Sequence, residues 1–136
     1  MNNISKLINK LHFVSSKLHM FHWNVKGPNF ISYHEFLEEG YKQIIEQKDK
    51  IAEYLKFKNI NQNVLIDFNE VAKLNQNFTI PKKAEEIMQE TLNEYKSLLQ
   101  DYSNILEEAD KILEAIISEA EMDIQKQIYI LQSILS

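Results

Sequence analysis

A chain of 136 residues is the size of one ordinary domain, and its two glycines and two prolines, against 44% hydrophobic residues, leave much material for helices and little for turns. The formal charge of -5 argues against nucleic acid as the main partner, because phosphate binding needs concentrated Lys and Arg. The absence of cysteine excludes disulfides, thiolate metal sites and cysteine nucleophiles, so any metal must be held by oxygen and nitrogen.

The start, MNNISKLINKLHF, has no long apolar run of the kind a signal peptide carries. Nowhere does the chain reach the ~18 consecutive apolar residues of a spanning helix. The expectation is a soluble, unexported, cytoplasmic protein made of a single domain over residues 1–136.

Apolar residues recur at Ile4, Leu7, Leu11, Val14, Leu18, Phe21 and Val25, in steps of three and four, which predicts a first amphipathic helix to about Lys26. A flank of His12, Ser15, His19 and His22 lies beside that stripe and puts His22 at the edge of the buried face. Gly27-Pro28 then stops the helix, since Pro disfavours helical geometry in the residue before it and Gly supplies the turn.

A second helix is predicted from about Phe30 to Lys58, with Leu37, Tyr41, Ile44, Ile51 and Leu55 toward the core. On the adjoining face, His34, Glu38, Ile45, Asp49 and Glu53 fall within about 100° of one another, so ligand-type residues occupy most of that face.

The Asn-rich stretch from Asn59 to Ile80 reads as a crossover. Within it, Asp67 followed by Glu70 resembles a capping box opening a short helix through Leu74. Pro81 suits the first turn of a third long helix, whose stripe is Ala84, Ile87, Thr91, Leu92, Tyr95, Leu98, Tyr102, Ile105 and Ala109. A fourth series follows at Leu113, Ile116, Ala120, Ile124, Ile128, Leu131 and Leu135, with its turn placed near Glu107 to Lys111. Two short connections around one long crossover describe an all-α, ferritin-like four-helix bundle, in which the third long helix returns parallel to the second.

Imidazole and carboxylate without thiolate suit iron, manganese or zinc, with iron favoured where several carboxylates join the imidazoles. His34 and Asp49 lie 15 residues apart on one helix, so they stand ~22 Å apart along its axis and cannot share a metal within one chain. His22 can approach His34 across the Gly-Pro turn, whereas Asp49 and Glu53, spaced i, i+4, form a separate carboxylate pair. Each subunit then carries two half-sites. Two copies packed antiparallel about a two-fold axis, crossing near Tyr41 to Ile44, would bring His22 and His34 of one to Asp49 and Glu53 of the other. Gly40 fits a close approach at that crossing. The usual intrachain di-metal site needs Glu-x-x-His motifs, and this chain has none.

The runs His22-Trp23-Asn24-Val25-Lys26-Gly27-Pro28-Asn29-Phe30, Tyr33-His34-Glu35-Phe36-Leu37-Glu38-Glu39 and Asp49-Lys50-Ile51-Ala52-Glu53 resemble the signature of the Dps family of mini-ferritins in residue type and spacing. The resemblance implies a dodecameric shell of two-fold dimers, with an inter-subunit ferroxidase centre that oxidises Fe(II), preferentially by hydrogen peroxide, and stores ferric mineral. On it, the metal ligands match His22 and His34 of one subunit and Asp49 and Glu53 of its mate. Glu38 matches an acidic position near the site, and Trp23 a neighbouring aromatic thought to quench oxidising equivalents.

Three departures from the family pattern bear on DNA and pores. No Lys-rich terminal tail is present, the turn before the fourth long helix lacks a Gly-Asp stretch, and Tyr129 stands where Trp is common. These departures weaken the resemblance where it implies DNA binding and three-fold pore residues. A nucleoid-coating protein and a metal-free helical bundle are the competing readings. His12 and His19 read as packing residues, and the Tyr and Leu stripes of the last two helices as core.

Overall fold

Five helices make up the described residues, 2–136, of the computed structural model: α1 (Asn3–Asn24), α2 (Phe30–Lys58), α3 (Phe68–Leu74), α4 (Ala84–Leu106) and α5 (Lys111–Leu135). No strand occurs among these residues. Cross-helix pairs give the topology. His12 lies beside Lys48, His19 stacks on Tyr41 and His22 faces Glu38, so α1 and α2 run antiparallel. Gly40 meets Tyr95 and Gln47 meets Tyr102, which makes α2 and α4 parallel. Lys50 pairs with Glu119, and Tyr54 with Asp110, so α5 runs back along α2. This is the bundle with one long crossover that the helix pattern predicts.

The predicted stripes form the core. Leu11, Val14, Leu18, Phe21, Leu37, Ile44, Ile51, Tyr95, Leu98, Ile124 and Leu131 are all fully buried, each aliphatic or aromatic side chain contributing about 1.5–3 kcal/mol by leaving water. At the start of α5 the expected Ile116 is only half-buried, and Ile117 is fully buried in its place. A face running through Leu113, Ile117, Ala120 and Ile124 keeps helical spacing from the helix start at Lys111.

Helix ends depart from the sequence reading in three places. α1 stops at Asn24, because Val25 is already extended at ψ 142°, although its N–H still reaches Phe21 O. α4 begins at Ala84 after the N-cap Lys83, leaving Pro81 in the preceding loop. Glu85 and Glu86 then occupy its first turn, where the helix dipole favours negative charge. Asp67 does cap α3 through the N–H groups of Asn69 and Glu70, but the box is not reciprocal. Its own N–H donates to Asn9 Oδ1 on α1 at 2.9 Å, while Glu70 pairs with Lys73.

The reading of Gly40 also needs correction. Gly40 is buried, and a Cβ there would lie 2.5 Å from the Tyr95 hydroxyl and 3.2 Å from Leu18 Cδ2. The close approach it permits is to its own α4 and α1. Tyr41 and Ile44, expected at a two-fold crossing, are likewise used up in the core, and Ile45 is the apolar residue facing out at that level.

Candidate metal centre

The Gly27-Pro28 turn sets the site. Gly27 adopts φ 114°, a region other residues avoid, and the N–H groups of Phe30 and Tyr33 bond back to Gly27 and Asn29 to open α2. The end of α1 is thereby folded against the start of α2. His22 and His34 stack face to face with ring centroids 3.6 Å apart. Each Nδ1 lies 2.8 Å from the other residue's backbone carbonyl. A carbonyl can only accept, so each Nδ1–H donates, and in the neutral ring it is Nε2 that carries the lone pair a metal takes.

Aromatic walls hold the pair. Phe30 stacks on His34 at 4.8 Å, and Tyr41 meets His22 edge-on at 5.5 Å. His19 stacks on Tyr41 at 4.1 Å and touches Trp23 at 4.3 Å, so it does pack, but against the site. Phe30, one turn before His34, and Tyr41, two turns after it, were legible only as core or helix-start residues. Their spacing from His34 is the signal that marks them. His22 is buried, His34 half-buried, and Trp23 is 63% exposed. Glu38 brings a carboxylate oxygen to 3.9 Å from His22 Nε2 and shares its other oxygen with Lys42.

Asp49 and Glu53 are exposed on α2 and are not brought to the histidines. Among the described residues, no group of three His, Asp or Glu side chains is placed to hold one metal within the chain. Asp49 sits on the rim of a shallow groove of about 250 Å³, with His12, Lys48, Ala52 and Leu65 among its walls. His12 is packed as expected, edge-on to Phe68 and within 3.2 Å of Lys48 Nζ. Burial first, and Lys48 second, hold its imidazole below the ordinary value. Burial likewise lowers Lys48. Around this groove Ile45, Leu65 and Phe68 stand in solvent.

A family profile for ferritin-like domains matches residues 1–136. The chain belongs to the ferritin-like domain family. It is 33% identical to a "DNA protection during starvation protein" of Helicobacter pylori over 85 residues, which is 60% of this chain and 58% of that protein. A protein of the same name from Brevibacillus brevis is 54% identical over 37 residues, 27% of this chain and 25% of that one. These matches thus span from a quarter to under two-thirds of the relatives' length. Dps from Staphylococcus aureus shares the fold with a TM-score of 0.86 at 24% identity, covering 98% of this chain and 93% of that one. Within the ferritin-like family, the chain is placed among the Dps mini-ferritins.

Proposed function

We propose that the chain is an Fe(II)-oxidising, iron-storing subunit whose reaction site is completed by a second copy across a two-fold axis. The observation that carries this reading is the reciprocal histidine pair, whose Nδ1 atoms are engaged by backbone carbonyls so that the Nε2 atoms face outward, that of His22 toward the Glu38 carboxylate. Two imidazoles are fewer donors than even a 2-His-1-carboxylate iron site uses. Asp49 and Glu53 of the mate supply the missing carboxylates, and Glu38 an acidic neighbour. The exposed Ile45, Leu65 and Phe68 beside Asp49 suit a face covered by another subunit.

Iron is both substrate and cargo here. Each Fe(II) gives up one electron, and one hydrogen peroxide takes two, leaving as water with protons from solvent; dioxygen is the alternative oxidant. The Fe(III) product is then stored as mineral in a closed shell, a dodecamer of two-fold dimers, in the cytoplasm. A single domain over residues 1–136 accounts for all of these roles. No helix among the described residues is long and apolar enough to cross a membrane.

The test exploits site sharing. His34→Ala and Asp49→Asn each inactivate both sites of a homodimer. A dimer with one chain of each kind gathers both defects in one site and leaves the other intact. Peroxide-dependent Fe(II) oxidation should therefore return when the two inactive variants are unfolded and reassembled together. No recovery, with assembly verified by native mass, would rule out sharing.

The name borne by the relatives favours a second reading, direct DNA binding. With a formal charge of -5, no retardation of duplex DNA is expected at ~0.1 M salt. A salt-sensitive shift under those conditions would support the coating role.

A further inference from the structure

The interior of the bundle carries polar side chains that iron oxidation at the subunit boundary does not use. Gln47, Tyr95, Tyr102 and Gln127 are each at least nine-tenths buried. The Tyr102 hydroxyl donates to Gln47 Oε1 at 2.6 Å. That bond fixes the orientation of the Gln47 amide, since a phenol O–H needs an oxygen acceptor, and leaves Nε2 as a donor. Four buried atoms have no hydrogen-bond partner among the described residues: Gln47 Nε2, Gln43 Oε1, Gln127 Oε1 and the Tyr95 hydroxyl.

Helix register spreads these atoms over about two turns of α2, from Gly40 to Gln47. Gln43 and Gln47 are one turn apart on α2. Tyr95, from α4, meets α2 at Gly40, one turn before Gln43. Lys50 pairs with Glu119, so eight residues on along α5 and eight back along α2, Gln127 stands level with Lys42. Between α2 and α5 runs a groove of about 410 Å³ whose lining includes Gln43 and Gln47 together with Glu46, Lys50, Glu119 and Asp123. Burial, reinforced by Glu119, holds the Asp123 carboxyl above its ordinary value.

We infer that this stretch of the bundle binds small neutral molecules that both donate and accept hydrogen bonds, water or hydrogen peroxide, reached through the α2–α5 groove. The unpaired atoms are two donors, Gln47 N–H and Tyr95 O–H, and two amide carbonyl acceptors. A metal cation matches only the oxygens, and an anion only the donors. A hydroxylic molecule matches both. Buried water is held by two to four such contacts, and hydrogen peroxide offers the same donors and acceptors on a longer body.

A high-resolution crystal structure of the assembled protein tests this. Density within hydrogen-bond distance of Gln47 Nε2 and at least one of the other three atoms is expected. A dry interior, or the amides paired with one another, overturns it. Crystals soaked in peroxide separate the two occupants: density that lengthens marks peroxide, and density that stays single marks water, both within the inference. Urea unfolding distinguishes a filled site from a dry one by the sign of the change. If the site is filled, Gln127→Leu strips a contact from the bound molecule and lowers the urea midpoint. If it is dry, the variant removes an unpaired buried acceptor and raises the midpoint, overturning the inference. Tyr95→Phe, which deletes one oxygen and no volume, obeys the same sign rule should Gln127→Leu fail to fold.

Discussion

The two ends of α2 carry the two kinds of proposed ligand and are built in opposite ways. At its start, His34 is stacked on His22, bonded through Nδ1 to a backbone carbonyl and backed by Phe30, while Tyr41 meets His22 edge-on. Further along, Asp49 and Glu53 are exposed, on a helix face beside solvent-facing Leu65 and Phe68. One end has its rotamers and tautomer set within the chain. The other awaits its setting from outside, which is how a site shared between copies should look in a single subunit.

The largest expected effect comes from breaking the ordered end. His34→Ala removes a ligand and one of the two reciprocal bonds at once, so the Fe(II) oxidation rate should fall beyond the ~100-fold that loss of an outer-shell partner causes, measured by the absorbance of ferric product. A loss under tenfold would mean that the histidine end is only packing.

Next in size is the middle of α2. Gly40→Ala drives a Cβ against the Tyr95 hydroxyl and Leu18, and should cost about 1–3 kcal/mol by overpacking in urea unfolding. A neutral result would return Gly40 to a role at an outer face.

The far end of α2 sharpens the contrast through pH. Tyr54 and Lys58 both reach Asp110, the N-cap of α5. The Leu113 N–H first, then Lys58 and Tyr54, hold that carboxyl well below its ordinary 3.8. A lowered folded value means that the stabilisation is present above 3.8 and is lost as pH falls toward the folded value. Asp110→Asn, which keeps a capping oxygen without the charge, should flatten the fall of the urea midpoint below about pH 4. An unchanged acid limb would show that Asp110 does not set the acid sensitivity.

The smallest effect on folding stability is expected at the exposed carboxylates themselves. Asp49→Asn and Glu53→Gln should leave the stability of the folded subunit within about 0.5 kcal/mol of the parent, while each slows iron oxidation. A large loss of stability would show that these residues support the fold and are not simply held ready for a mate.

Much of this is readable from residue spacing. The α2 span, the short crossover helix to Leu74 and the parallel return of the next long helix follow from apolar periodicity and connection length, as does the meeting of His22 with His34 across Gly27-Pro28. The rest depends on contacts between residues distant in sequence. Periodicity marks Gly40 as an interior helix glycine but cannot say that Tyr95 is what approaches it. The start of α5 carries no Gly or Pro, yet Asp110 accepts the Leu113 N–H, a cap signal that a search for breakers overlooks. Asn9 looks like an ordinary polar residue of a first helix, and its bond to Asp67 N–H ties down the crossover. Gln47 and Gln127 would be placed at the surface by composition alone, and only the packed bundle shows them inside.

The long crossover has a consequence for how the chain reaches its native state. α1 with α2, and α4 with α5, are antiparallel neighbours joined by short turns, so each pair can close quickly as a local hairpin. The contacts that join the hairpins are remote: Gln47 to Tyr102 spans 55 residues, Tyr54 to Asp110 spans 56, and Lys10 to Asp101 spans 91. Loop closure over such separations sets the pace of folding. The Asn9–Asp67 bond and the seating of Lys17 among Phe13, Phe21 and Phe78 dock the crossover onto the first hairpin and so shorten the free tether to the second. Loosening that docking should slow refolding more than it speeds unfolding.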